Sequence, residues 1–484
     1  MRSPGSPGAH PSKATREGKE LLCWHTALNS PPARIRLLAC RRDETGVRRR
    51  SPLVGSLHRC RLVSTTVSAG RIGACARHAY EAKTTRMTSS LAIHGGRPVR
   101  EKPLPYARHA IEGSDIRAVT SVLRSDHLTG GPALDAFERE LAAQTGARWA
   151  VGFSSGTAAL HAAYAAVGVG PGDEVLTSPI TFCATANAAL YLGGIPRFAD
   201  VDPTTLLLDP GEVARQIGPR TRAIAPVDYA GQPAPIEALR ALADSHRLAL
   251  VEDACHATGA RRGSEPLGGQ ADITVFSLHP VKHIAAGEGG VATTQDGDLA
   301  ARLRSLRNHG LDRSARDREA RGDWGYDMLE LGFNYRMDEM SAALARSQLS
   351  RLEEGIERRS ELVATYDRML APCEWIQRLE APAEGRSAWH LYPIRLVGEE
   401  LAEQRDMVLR ALRAEGILAN VHYKPVHLLH YYRKIVGTDE GLAPIAEREA
   451  ARLISLPLFP GMESRDVCDV HDALEKVLSH FARR

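Results

Sequence analysis

The chain lacks any apolar run approaching the roughly 20 residues that a helix needs to cross a bilayer, so it reads as soluble, with no membrane partner. It also lacks the Gly-x-x-x-x-Gly-Lys-Ser/Thr loop, and no Gly-x-Gly-x-x-Gly leads from a strand into a helix, which argues against P-loop and dinucleotide-binding enzymes. Its eight cysteines show neither metal-ligand spacing nor a disulfide framework. Cys183, Cys255, Cys373 and Cys468 are scattered, as reduced thiols of a cytoplasmic protein would be, with Cys255 read as a small buried residue. No internal repeat occurs.

Charge is present but unevenly placed. Residues 1 to 86 carry 17 Lys/Arg and 5 Asp/Glu; from chain totals of 62 and 58, this leaves 45 basic and 53 acidic residues beyond Arg86. The basic character therefore belongs to the extension and gives no ground for a nucleic-acid partner. That extension is rich in Ser, Pro and Arg, holds Cys23, Cys40, Cys60 and Cys75, and shows no sustained helical or strand period. It is expected to be disordered or not genuinely part of the protein. Its Arg-rich, acid-poor bias faintly resembles an organelle transit peptide, and Met87, shortly before Ile93-His94-Gly95-Gly96-Arg97-Pro98, is the expected beginning.

What the rest of the chain has is alternation. Strand-like apolar runs at Glu174 to Leu176, Arg197 to Ala199, Ala223 to Val227, Ala249 to Glu252, Ile273 to Phe276 and Gly290 to Thr293 are separated in part by helical segments such as Ile236 to Ser245. This predicts an α/β fold with a mainly parallel sheet covered by helices on both faces. Asp338 to Tyr366 has the apolar spacing of one long amphipathic helix able to bridge two lobes. A smaller α/β lobe would follow, with a strand at His390 to Leu396, a helix at Leu401 to Glu415 and a strand at Val421. The expected division is an extension over 1–86, a large domain over 87–345 and a small C-terminal domain over 346–484.

The chemistry concentrates in Ser277-Leu278-His279-Pro280-Val281-Lys282-His283-Ile284-Ala285-Ala286-Gly287-Glu288-Gly289-Gly290, where one lysine stands between a buried strand and a glycine-rich turn. At the C-terminal edge of an open α/β sheet, an amine can lose enough solvation to become nucleophilic and form a Schiff base. Three upstream segments have what pyridoxal 5'-phosphate needs beside such a lysine. Ser154-Ser155-Gly156-Thr157-Ala158 opens an Ala-rich helix whose N–H groups and dipole would receive a phosphate, or it is simply an N-cap. Leu248 to Asp253 is an apolar strand ending in carboxylates, where Asp253 could hold a protonated pyridine nitrogen or be a turn residue, and His256 follows three positions on. Phe182, at another strand end, could stack on a flat cofactor or belong to the core.

These segments, with Gly170-Pro171-Gly172-Asp173-Glu174-Val175, Glu252-Asp253-Ala254-Cys255-His256-Ala257, Arg307-Asn308-His309-Gly310 and Gly332-Phe333-Asn334-Tyr335-Arg336-Met337-Asp338-Glu339, resemble the DegT/DnrJ/EryC1/StrS family of sugar aminotransferases from about Ser90 to the C-terminus. The resemblance implies a PLP-dependent transferase of fold type I, aspartate aminotransferase-like. It makes Lys282 the Schiff-base lysine and Asp253 the partner of the pyridine nitrogen. His256 would contact the phenolic oxygen; Ser277, Thr157 and Ala158 would bind the phosphate; Phe182 would cover the ring. Asn334 would reach the cofactor phosphate of a neighbouring subunit, which implies a homodimer. Relatives with His at the lysine position perform dehydration, and Lys282 keeps the aminotransferase reading.

Val227-Asp228-Tyr229-Ala230-Gly231, His390-Leu391-Tyr392-Pro393-Ile394 and the Gly416 to Val426 segment resemble the branch of that family that serves pseudaminic acid biosynthesis. That likeness implies an L-glutamate donor and an acceptor that is a UDP-linked 4-keto-6-deoxy-N-acetyl-hexose, with GDP- and dTDP-linked keto-sugars, or a non-catalytic regulatory role, as alternatives. His422, Tyr423 and Lys424 could meet the diphosphate, or could lie on a half-exposed strand with Tyr423 inward and Lys424 in water. His309 and Arg307 are a second possible cationic contribution.

Overall fold

The computed structural model describes residues 90–380 and 385–482; the 1–86 extension, and every expectation about it, lies outside the described residues. Seven strands form the main sheet: β1 Trp149–Phe153, β2 Glu174–Thr177, β3 Ile195–Phe198, β4 Thr221–Ala225, β5 Ala249–Asp253, β6 Ile273–Ser277 and β7 Gly290–Thr294. Their spatial order is β1-β7-β6-β5-β4-β2-β3. All neighbours run parallel except β7, which is antiparallel to both β1 and β6. The central strands β5 and β6 are buried almost throughout, as the continuous apolar runs require of a sheet covered on both faces.

One helix, α1 (Gly156–Ala166), is buried nearly all round, and its run of alanines lets it pack closely against β6, β7 and helix α2 (Ala184–Tyr191). Further along, the expected single helix from Asp338 is two: α3 (Glu339–Leu349) and α4 (Leu352–Leu370), parted at Ser350 and Arg351. Helix α4 does the bridging. Its first turns place Leu352 and Ile356 in the core of the large sheet, whereas Leu362, Val363, Tyr366 and Leu370 lie in a second core.

That second core packs α4 and the C-terminal helix α5 (Ser464–Phe481) against a three-stranded antiparallel sheet, β8 (Ile376–Arg378), β9 (Tyr392–Leu396) and β10 (Leu453–Leu456). Leu91 and Leu104 join it, because the short strand Leu104–Pro105 pairs with Ile417–Leu418. The expected strand at Val421 is absent; Ile417–Leu418 is the strand there, and residues 421–425 form a loop. Among the described residues no helix is long and apolar enough to cross a membrane.

Candidate active site

The site begins where β6 ends. After Ser277 the chain makes a loop closed at its base by Leu278 N–H donating to Gly289 O (2.9 Å) and Ala286 N–H donating to Leu278 O (2.9 Å). Within it, Lys282 N–H bonds His279 O at 2.8 Å. The loop holds Lys282 half-buried. Burial pulls its amine from 10.5 down to about 8, a fall partly offset by Cys255 and Asp253.

Strand β5 runs beside β6 in parallel, pairing Asp253 with Val275. This sets Asp253, buried at 4 % exposure, at the same sheet end as Ser277. Its carboxylate is fixed from two sides: Thr185 Oγ1 donates to Oδ2 at 2.6 Å, and the Cys255 backbone N–H donates to Oδ1 at 3.1 Å. Thr185 was not singled out from the sequence.

Four imidazoles surround the amine. Lys282 Nζ lies 3.4 Å from His390 Nε2. The His390 ring sits 4.4 Å from that of His256 and 5.7 Å from that of His283, which bonds Ala388 O at 2.9 Å. His256 Nε2 meets the Tyr423 hydroxyl at 3.0 Å. His422 Nδ1 bonds Ser455 Oγ at 2.9 Å. Burial, reinforced by the Lys282 charge, holds His256 and His390 well below 6.5 and His422 at about 4. Burial followed by Arg359 does the same to His283. All four rings are therefore neutral at physiological pH.

The wall that carries His390 is pinned to the segment Val227 to Gly231. Ala388 N–H donates to Gly231 O at 2.9 Å, and Leu391 N–H to Ala230 O at 3.3 Å. Gly231, at φ +98°, permits this approach, since a Cβ there would stand 2.8 Å from Trp389 N and 3.0 Å from His256 O. From the other side Arg359, buried in α4, donates to the carbonyls of Trp389 (3.1 Å), His390 (3.5 Å) and Leu458 (2.9 Å). Burial lowers that guanidinium to about 10. Behind Asp253, Asp228 accepts from Ala234 N–H at 2.7 Å and faces Arg262, which also contacts Glu252; burial and the Glu252 charge push the Asp228 carboxyl well above the usual range.

The remaining expected residues fall into three places. Ser155 caps α1 by accepting from Ala158 N–H (3.1 Å), and Gly156 sits so close to Ser277 that a Cβ there would lie 3.2 Å from the serine Cβ; Thr157, Ala158 and Ser277 thus share one corner. Phe182 is 59 % exposed, its ring 6.3 Å from Tyr423, so it stands at the mouth and not in the core. Tyr423 points inward and Lys424 is exposed, but on a loop and not a strand. Asn334 and His309 are exposed on a separate loop pair, tied by the Asn308–Asn334 bridge, by His309 N–H to Phe333 O (2.8 Å), and to the α1 turn by Ser154 N–H to Tyr335 O (2.8 Å).

A desolvated lysine at the carboxyl end of one strand, a buried carboxylate on its neighbour and a helix N-terminus beside them define a PLP-dependent transferase of fold type I. The chain belongs to the DegT/DnrJ/EryC1/StrS aminotransferase family, whose model matches residues 109–475. It is 38% identical over 377 residues to the spore coat polysaccharide biosynthesis protein SpsC of Bacillus subtilis, covering 78% of this chain and 97% of that one. Helicobacter pylori PseC, an aminotransferase involved in the biosynthesis of pseudoaminic acid, superposes with TM-score 0.73 at 31% identity over 79% of this chain and all of that one. The putative sugar aminotransferase Spr1654 of Streptococcus pneumoniae, solved in PLP and PMP forms, superposes with TM-scores of 0.73 and 0.74 at 29% identity, over 78% of this chain and 99% and 100% of those.

The residues present suit that cofactor. His256 and His390 each bury an Nδ1 that has no partner among the described residues. Beside them are an amine, a doubly held carboxylate and the N-terminus of α1, the groups a phosphorylated pyridine aldehyde requires.

Proposed function

We propose that this sugar aminotransferase moves an amino group from L-glutamate to carbon 4 of a UDP-linked 4-keto-6-deoxy-N-acetyl-hexose, the acceptor of pseudaminic acid biosynthesis. The observation that carries the chemistry is Lys282, an amine brought to about 8 among neutral imidazoles and facing the Asp253 charge. When bound, PLP supplies an aldehyde for that amine and an electron sink for the carbanion formed at the substrate carbon.

Asp253, locked by Thr185, would keep the pyridine nitrogen protonated. His256 would lie against the phenolic oxygen, held there by the Tyr423 hydroxyl. Ser277 with the N–H groups of Thr157 and Ala158 would receive the phosphate, and Phe182 would close over the ring from the mouth. Lys282 acts twice, first as anchor, then as the base that removes a proton from the donor's α-carbon and returns one at the acceptor. The second half-reaction runs these proton steps in reverse.

The likeness to PseC and the Val227-Asp228-Tyr229-Ala230-Gly231 segment support the sugar assignment. A diphosphate-linked sugar would find Lys424, His422 and Tyr423 on one loop, and His309 on another. Trp324, Leu329 and Leu331 are 86 %, 70 % and 80 % exposed a few residues before Asn334. A second copy of the chain would cover these side chains and receive Asn334 at its own cofactor phosphate, which is the homodimer we propose.

The test is a coupled assay of glutamate consumption against UDP-, GDP- and dTDP-linked 4-keto sugars, with Lys282→Ala as control. Turnover of the UDP-linked substrate, lost in the variant, is expected. Turnover confined to GDP or dTDP sugars would refute the carrier, and protein that stays colourless with added PLP would refute the enzyme.

A further inference from the structure

We infer that His390 is a further catalytic residue, whose Nε2 accepts a hydrogen bond from the Lys282 amine, aiming it and stabilising the ammonium that forms when the amine takes up a proton. The inference rests on the reading of Lys282 as the reacting amine.

Among the described residues Lys282 makes no salt bridge, and its Nζ has one hydrogen-bonding contact, His390 Nε2 at 3.4 Å. That separation is long, as catalytic hydrogen bonds commonly are before substrate tightens them. His390 is 3 % exposed; the flanking Ala388 and Leu391 N–H groups donate to Gly231 and Ala230, its own carbonyl accepts from Arg359, and its ring is packed against those of His256 and His283, which holds it beside the amine. Among the described residues its buried Nδ1 has no partner, and Nε2 is the ring atom engaged.

The groups facing the pair are the rings of His256, His283 and His422, the Arg359 guanidinium, the Cys255 thiol and the Asp253 carboxylate. The ring is neutral in that company, so it does not repel the ammonium, and with its proton on Nδ1 it accepts through Nε2. In the proton step the C–H bond of the substrate breaks, its electron pair stays on the carbon side, and the proton becomes the third N–H on Nζ. An ammonium so poorly solvated gains most from an acceptor already in place.

The measurement is the pKa of Lys282 in the full chain stripped of cofactor, read from the pH dependence of acetic anhydride labelling by peptide mass spectrometry, with steady-state kinetics of the reconstituted enzyme alongside. His390→Leu should lower that pKa by about one unit and kcat by about tenfold, with KM within about twofold of the parent. His390→Gln, whose amide oxygen can accept from the amine, should keep both near the parent values. An unmoved labelling pKa in folded His390→Leu, or equal losses in both variants, overturns the proposal. Turnover retained by Lys282→Ala would instead overturn the reading of the amine, and a labelling shift would still report the pair.

Discussion

Replacing Lys282 by methionine should end turnover and make the cofactor-free protein more stable at neutral pH. The folded chain holds this amine at about 8, against an ordinary value of 10.5, chiefly because burial strips its water. A drop of that size corresponds to on the order of 3 kcal/mol of opposition to the charged form. The side chain is only half-buried, so solvent screening reduces this to about 1 to 2 kcal/mol. Between pH 8 and 10.5 the unfolded chain binds a proton that the folded chain has shed, so this group's contribution to stability rises with pH across that window. Below about 8 both states carry the charge and the full penalty is present. Methionine, of similar length and uncharged, should therefore gain most below pH 8, and its advantage should fade as pH approaches 10.5. Urea unfolding of parent and variant, both without cofactor, at one pH in each regime gives the comparison. A variant no more stable than the parent at neutral pH, or an advantage independent of pH, would refute the reasoning.

Asp253→Ala should bind PLP poorly and transaminate slowly, because it removes the carboxylate, positioned by Thr185 and the Cys255 N–H, that would keep the pyridine nitrogen protonated; near-normal turnover in a coupled assay would undo the assignment. Gly231→Ala should cost more than about 2 kcal/mol in chemical denaturation, since it combines a strained φ with a Cβ 2.8 Å from Trp389 N, and it should displace His390 from Lys282. Acid should weaken the fold early. The four histidines of the site and His161 are held below 6.5, His422 at about 4, so the unfolded chain takes up protons first and stability is lost as pH falls from 6.5 toward 4. A pH series of unfolding free energies that stays flat through that window would contradict it.

Six of the seven main strands were legible because each is a short apolar run bounded by turn residues. The seventh, Trp149–Phe153, escaped because it begins with an exposed tryptophan, carries Gly152 and draws its pairing from residues 290–294, far along the chain. The break between α3 and α4 was hidden since neither Gly nor Pro marks Ser350 and Arg351. Lys282, Asp253 and His256 could be picked out from short motifs. Thr185 could not, and His390, although it opens the segment His390 to Ile394, had no role legible there; they lie 68 and 108 residues from Asp253 and Lys282, and only the fold unites them.

Arg359 limits how this enzyme can be redesigned. Its buried guanidinium donates through Nη1 to the carbonyls of Trp389, His390 and Leu458, so inserting or deleting a residue in 388–390 would take two of those acceptors from a positive charge held away from water. On the proposed function, new acceptor preferences are better sought around the exposed Phe182 and Lys424, where side chains can change length without disturbing the scaffold that anchors the histidine wall.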